Sequence, residues 1–283
     1  MNFLVKVVII LLTGFCTLVW SADKVVMPQA LLYKGKPIDP LCFFEAGNTN
    51  GNANLSQCGL HAEPGRHISK ENTYLTDKGF FGYDFSWEID DKYPSGGYSY
   101  YKPFGTVGKA VIVETINNGG GTGDFTAINL VVRDNETISV DSVNGGDRCN
   151  NGIQEVKREK KDAGERLVYG IKVTPFDFLT LVKDNAHDIQ PYDDLNACAI
   201  CCAGVAYFQR PLDDKFENET FMYLNVSNYI KDIKTSDSAS QGEPVKYQAC
   251  FDKVLLQSTK DGNSKLDKKA LALCASDNET KLR

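Results

Sequence analysis

Between Phe81 and Ile89 apolar and polar side chains alternate without a break. Phe81, Tyr83, Phe85, Trp87 and Ile89 point one way, and Gly82, Asp84, Ser86, Glu88 and Asp90 the other. A period of two residues is the pattern of a half-buried strand with one wet face. Pro94-Ser95-Gly96-Gly97 reads as the turn that follows, with the return strand starting at Tyr98 to Tyr101. Ala110 to Ile116 is rich in β-branched residues and suits a central strand. The glycine-rich segment from Asn117 to Asp124 then marks a long hairpin loop before a strand from Phe125 to Val132. Arg133 to Glu136 turns the chain again, Thr137 to Val143 continues the meander, and Leu167 to Val173 adds a further strand.

Helical signals come later. Thr174-Pro175-Phe176-Asp177 sets a capping Thr, a Pro at the first helical position and an acid three residues on, predicting a short helix to about Lys183. Ala203 to Phe208 and Phe221 to Val226 read as strands, and Tyr247 to Gln257 and Leu266 to Cys274 as helices. Strands first and helices last predict an α+β fold with a mainly antiparallel, meander or sandwich-like sheet. The short mid-chain helix and a C-terminal helical pair complete it. The expected organisation is a leader at 1–21, a β-rich domain at 22–234, a Ser-rich linker at 235–244 and a C-terminal helical segment at 245–283.

The leader sets the expected compartment. A basic start ends at Lys6, an apolar run extends from Val7 to Trp20, and Val19 and Ser21 supply the −3 and −1 positions of a cleavage site. That run suits a signal peptide and is short of the roughly 20 residues a spanning helix needs. An uncleaved anchor is the alternative reading. Phe15 ahead of Cys16 argues against lipid attachment. No second apolar stretch reaches spanning length, so a secreted or periplasmic protein without membrane anchoring after cleavage is expected. With 42% hydrophobic residues the chain has material for a core. Its net charge of −6 becomes one unit more negative once Lys6 leaves, which argues against a nucleic-acid partner. The basic run Lys157 to Lys161 holds Glu159 and is flanked by Glu155 and Asp162, the composition of a solvated helix face or loop. Five glycosylation sequons, at Asn54, Asn135, Asn218, Asn225 and Asn278, are compatible with a secretory route.

Without Cys16, eight cysteines remain: Cys42, Cys58, Cys149, Cys198, Cys201, Cys202, Cys250 and Cys274. An even number behind a signal peptide points to disulfides. Cys42 with Cys58 would close a Gly/Asn-rich loop, Cys250 with Cys274 would clip the C-terminal helices, and Cys149 would pair within the 198–202 cluster. Two other readings compete there. Cys198-x-x-Cys201 has redox-motif spacing, though no βαβ pattern surrounds it. With His61-Ala62-Glu63 it also mimics a zinc deaminase signature, but Ala197 stands where that motif has Pro. No metal and no cofactor are expected.

Catalytic signatures are missing: the chain has no G-x-S-x-G elbow, no H-E-x-x-H and no Walker loop. Of three histidines, His61 and His67 sit in a Cys/Gly/Pro-rich stretch that reads as a surface loop, and His187 has no catalytic context. Residues 259–271 look like a calcium loop between helices, with Asp261, Asn263 and Asp267 at ligand positions. Thr259, Ser264 and Ala270 replace the first acid, the turn glycine and the bidentate Glu, so the segment reads as helix–turn–helix. The acid pairs Asp90-Asp91, Asp193-Asp194 and Asp213-Asp214 read as solvated. Aromatic density carries more: ten of the 25 residues from Phe80 to Phe104 are Phe, Tyr or Trp. The alternating set reads as core, whereas Tyr98, Tyr100 and Tyr101 read as strand-edge tyrosines able to stack on sugars or line a protein interface. At Gly145-Gly146-Asp147-Arg148-Cys149-Asn150, Arg148 is either paired with an acid at a stapled corner or presented to an acidic ligand.

Asn118-Gly119-Gly120-Gly121-Thr122-Gly123-Asp124-Phe125, followed by Gly146-Asp147-Arg148, resembles a pattern in exported bacterial proteins of uncharacterised function. The resemblance covers residues 110–150 and implies a periplasmic or secreted protein, with no activity attached. The sequence therefore leads to an exported, non-enzymatic binding protein, an inhibitor or envelope-interaction module, whose partner is a protein or a glycan. The alternative is a secreted hydrolase with a site assembled from distant Asp, Glu and His residues.

Overall fold

The computed structural model describes residues 26–87, 95–162, 164–182, 197–213, 215–227 and 246–275. The leader, the linker at 235–244, Ile89, Pro94, His187 and the pairs Asp90-Asp91 and Asp193-Asp194 lie outside the described residues. The described part starts with a 3₁₀ turn (Gln29–Leu31) and a minimal hairpin, β1 (Leu32–Tyr33) and β2 (Lys36–Pro37), then α1 (Pro40–Asn48), β3 (Asn52–Asn54), β4 (Arg66–Lys70) and α2 (Thr73–Thr76). The meander follows: β5 (Phe81–Trp87), β6 (Ser95–Val107), β7 (Ala110–Asn118), β8 (Phe125–Asp134), β9 (Thr137–Asp147), β10 (Ile153–Lys161) and β11 (Gly164–Val173). After α3 (Asp177–Thr180) come β12 (Gly204–Pro211), β13 (Thr220–Asn225), α4 (Lys246–Lys260), β14 (Lys265–Leu266) and α5 (Lys268–Ala275).

The strands form two larger antiparallel sheets, a seven-stranded one in the order β3-β9-β8-β7-β6-β5-β4 and a five-stranded one in the order β10-β11-β12-β13-β14. The α+β class with a mainly antiparallel sheet is thus the observed one. β7 is central, and its two faces enter different cores. Val111 and Val113 join Leu31, Ile38, Phe43 and Ala46 of the N-terminal segment and α1. Ile112 joins Leu167, Tyr169, Leu224, Phe251 and Leu271 from the smaller sheet, α4 and α5. Burial on both faces is what the β-branched run of β7 is for. The C-terminal helices are part of this second core, and β14 extends its sheet by pairing Leu224 with Leu266.

Caps fix the short helices. Thr174 donates to Asp177 Oδ2 from both its N–H and its hydroxyl, each at 2.7 Å, so the predicted capping pair starts α3. Asp39 caps α1 by accepting from Leu41 N at 3.0 Å, with Pro40 at the first helical position. The same carboxylate accepts from Tyr83 Oη at 2.6 Å and Leu60 N at 3.0 Å, tying α1 to β5 and to the next loop.

The eight described cysteines are all paired: Cys42–Cys58, Cys149–Cys202, Cys198–Cys201 and Cys250–Cys274. Both expected local pairings are present, and Cys149 takes its partner from the cluster. Sequence separation sets their weight. A chain-entropy model gives about 4 kcal/mol for closing the 53-residue separation and about 2 kcal/mol for the separation of three.

Several expectations need correction. The basic run is β10, an edge strand, not a helix face or loop; charged side chains on an edge discourage pairing with another chain. Ser95, Gly96 and Gly97 belong to β6 itself. His67 is in β4, and Leu266 precedes α5 in a two-residue strand. In the calcium-like segment Asn263 accepts from Lys265 N at 2.9 Å and Asp267 from Ala270 N at 2.9 Å, so these oxygens hold local turns.

Candidate functional site

The alternation of β5 decides what lies on each face. Tyr83 and Phe85 go inward beside Leu41, while Asp84 and Ser86 face the other way. Antiparallel register extends that wet face sideways in two rows. One runs Lys70–Asp84–Tyr98–Asn118 across β4, β5, β6 and β7, and the other runs His67–Ser86–Gly96. Asp84, Ser86, Gly96, Tyr98 and Asn118 of these rows line an open groove of about 330 Å³, together with Ser69 and Ser95. Ser69 sits at a register shift in β4 between Ile68 and Lys70, and bulges of this kind re-aim side chains at sites. Gly96 leaves the floor beside Ser86 bare.

The glycine loop closes one end. Asn118 accepts from Gly120 N at 2.7 Å and donates to the carbonyls of Gly121 and Gly123, so its amide organises the loop. Gly120 lies at φ 92°, where a Cβ would press on Ser95 Oγ, the Gly96 carbonyl and Trp87. Gly97 is required for a different reason: a Cβ there would run into the Asn118 carbonyl oxygen of the neighbouring strand.

Tyr98 is the centre of the polar network. Its hydroxyl donates to Asp124 Oδ1 at 2.9 Å. Asp124 N donates to Asp147 Oδ1 at 2.7 Å, and Arg148 grips Asp147 through Nε at 3.1 Å and Nη2 at 3.0 Å. Arg148 N also donates to the Asp124 carbonyl at 3.1 Å. Burial first, then the Asp124 hydrogen bond, pushes the Tyr98 hydroxyl far above its ordinary range, so it acts as a fixed donor. Desolvation alone would raise the Asp147 carboxyl; the Arg148 hydrogen bonds, the Asp124 N–H and the Arg148 charge outweigh it and hold it below the usual carboxylate range. Asp84 is oriented by neighbours on its own face: Tyr100 Oη donates to its Oδ1 at 2.9 Å, and Lys70 Nζ lies 3.5 Å from its Oδ2.

Ser86 also takes part in a nucleophile–base geometry. Ser86 Oγ lies 3.0 Å from His67 Nε2, and His67 Nδ1 lies 3.3 Å from the Gly65 carbonyl. With Nδ1 protonated toward that carbonyl, Nε2 is the acceptor for the serine hydroxyl.

Of the four residues singled out in the sequence, the structure brings Tyr98 and Arg148 into one network through Asp124 and Asp147. Tyr100 and Tyr101 are corrections. Both are 0% exposed, because β6 is an interior strand between β5 and β7 and not an edge. Tyr101 packs on Phe43 at 4.6 Å between ring centres, on the face opposite Tyr98, and Tyr100, on the same face as Tyr98, is buried beside Asp84, which it supports. Arg148 is a paired corner residue in the left-handed region, φ 49°. His61 and His67 are both exposed. The residues missed as site residues are Asp84, Ser86 and Asp124. The first two were already assigned to the wet face by the alternation; Asp124 had no signal beyond its place in the turn. Among the described residues no cluster of three or more His, Cys, Asp and Glu side chains is placed to hold a metal ion. No described helix is long and apolar enough to cross a membrane.

No family model, curated protein or solved structure matches this chain.

Proposed function

We propose that this is an exported binding protein whose groove takes a hydroxyl-rich ligand, a glycan. The observation that carries the reading is the set of oriented polar groups lining one open groove: Asp84 held by Tyr100, Tyr98 fixed by its hydrogen bond to Asp124, and Ser69, Ser86 and Ser95 beside them. Carboxylates fixed by tyrosine hydroxyls accept from sugar hydroxyls without losing side-chain freedom on binding. The groove's size favours a small ligand over a protein partner, which needs about 800 Å² per side. The leader, the four disulfides and the resemblance of residues 110–150 to exported bacterial proteins support secretion or a periplasmic location. The acidic balance stands against a nucleic-acid partner. The test is a glycan array followed by calorimetry on the mature protein. Asp84→Asn and Tyr98→Phe should each weaken binding by about tenfold, the worth of one charge-assisted hydrogen bond. Equal binding by both variants would remove the groove from the account.

One observation favours a second reading, hydrolysis, and it differs from the distant Asp, Glu and His site expected from sequence. The Ser86–His67 pair oriented by the Gly65 carbonyl has the arrangement of an activated serine. An alkyl fluorophosphonate would then label Ser86 in the wild type and leave Ser86→Ala unlabelled. Wild-type protein that stays unmodified leaves the pair as a cross-strand hydrogen bond.

A further inference from the structure

The Cys198–Cys201 disulfide is the least needed of the four for stability, since it closes a separation of only three residues. Backbone hydrogen bonds already hold its turn. Cys201 N donates to the Cys198 carbonyl at 2.9 Å, Cys149 N to the Ala199 carbonyl at 3.1 Å and Ala203 N to the Val173 carbonyl at 2.8 Å. None of these bonds uses a sulfur. The two cysteines therefore stay opposed when their disulfide is opened, and the same turn accommodates both redox states.

Access separates this bridge from the others. Cys198 is exposed and Cys201 is partly so, whereas each of the other three disulfides has one nearly buried cysteine, Cys42 at 1%, Cys149 at 5% and Cys274 at 6%; Cys202 is exposed, but its partner Cys149 would have to leave from a buried position. Exposed disulfides are the exchangeable ones. Ile200, between the two cysteines, is 78% exposed, an apolar side chain placed where an incoming chain would lie.

We infer that Cys198–Cys201 is a thiol–disulfide exchange site that oxidises dithiols on other polypeptides, separate from the groove and its ligand. A client thiolate attacks Cys198 Sγ, the Cys198–Cys201 bond breaks, and Cys201 leaves as a thiolate that takes up a proton. The client's second thiol loses its proton and attacks its own sulfur in the mixed disulfide, releasing Cys198 as a thiolate that is protonated in turn. Two electrons and two protons pass from client to protein, and the client gains one disulfide. The other three bridges remain closed.

The test is anaerobic reduction of the mature protein with graded dithiothreitol, trapping with N-ethylmaleimide and mapping by peptide mass spectrometry. Cys198 and Cys201 should be labelled at reductant concentrations at least tenfold below those that label the other six. In a second arm, native protein is mixed with reduced, unfolded ribonuclease A. It should transfer one disulfide per molecule, and the Cys198→Ala/Cys201→Ala double variant none. The mapping uses wild-type protein, so it decides even if that variant fails to fold. Joint opening of all four bridges, prior opening of another, or equal oxidation of ribonuclease by the variant would overturn the assignment.

Discussion

Glu114 stands on β7 cross-strand from Lys102 and is 7% exposed. Burial pushes its carboxyl up to about 7 against the lowering pull of Lys102 and Lys78. A carboxyl raised in the folded state binds its proton more tightly there than in the unfolded chain. Its contribution is therefore complete below the unfolded value of 4.5 and is lost as pH rises through about 7. Glu114→Gln should stabilise the protein at pH 8 by roughly 1–3 kcal/mol and leave it nearly unchanged at pH 4. Thermal unfolding across that range checks it, and an equal effect at both pH values would contradict the burial argument. At Gly97 the constraint is steric, and Gly97→Ala should cost about 1–3 kcal/mol in denaturant unfolding, because β6 must move off the Asn118 carbonyl. Single residues were the least legible scale in the sequence. Three neighbouring tyrosines looked alike: pleat parity separates Tyr98 in the groove from Tyr101, whereas Tyr100 shares the face of Tyr98 and differs in being buried where Asn72 N donates to its hydroxyl.

Elements were read more successfully where period and cap chemistry agreed. The β5 alternation named the wet face that became the groove floor, the glycine loop is a hairpin tip between β7 and β8, and the Thr174–Asp177 cap starts α3. Misreadings occurred where local composition pointed away from tertiary pairing. Ser95-Gly96-Gly97 has turn chemistry, yet its backbone pairs with Trp87, Ser86 and Phe85. Lys157 to Lys161 is charged, yet it pairs with β11 because its sheet needs an edge. α1 was missed although Asp39-Pro40 is a cap signal, since the run after it lacks helical periodicity. At this scale the Cys250–Cys274 bridge is the testable joint. It links α4 to α5, and Cys250→Ser/Cys274→Ser should lower stability by about 3 kcal/mol in chemical denaturation. An undiminished midpoint would mean that packing of Phe251, Leu255 and Leu271 alone fixes the helical pair.

At the scale of the molecule, one strand system serves two cores and one groove. One face of the larger sheet meets the smaller sheet and the C-terminal helices and, toward β4 and β5, carries the open polar groove, while the opposite face meets α1. That division was legible only as a class, α+β with an antiparallel meander, because periodicity reports which face is wet but not what lies opposite it. The groove arises from register, which places Asp84, Tyr98 and Asn118 in one row and joins the Gly-rich loop to Asp147 and Arg148 through Asp124. The groove is proposed to bind a glycan. Its most direct test is titration of the mature protein with the best glycan from an array, beside Asp84→Asn and Tyr98→Phe. Saturable binding that weakens about tenfold in each folded variant is the expected result. Binding that is absent from wild-type protein, or unchanged in both variants, would contradict it.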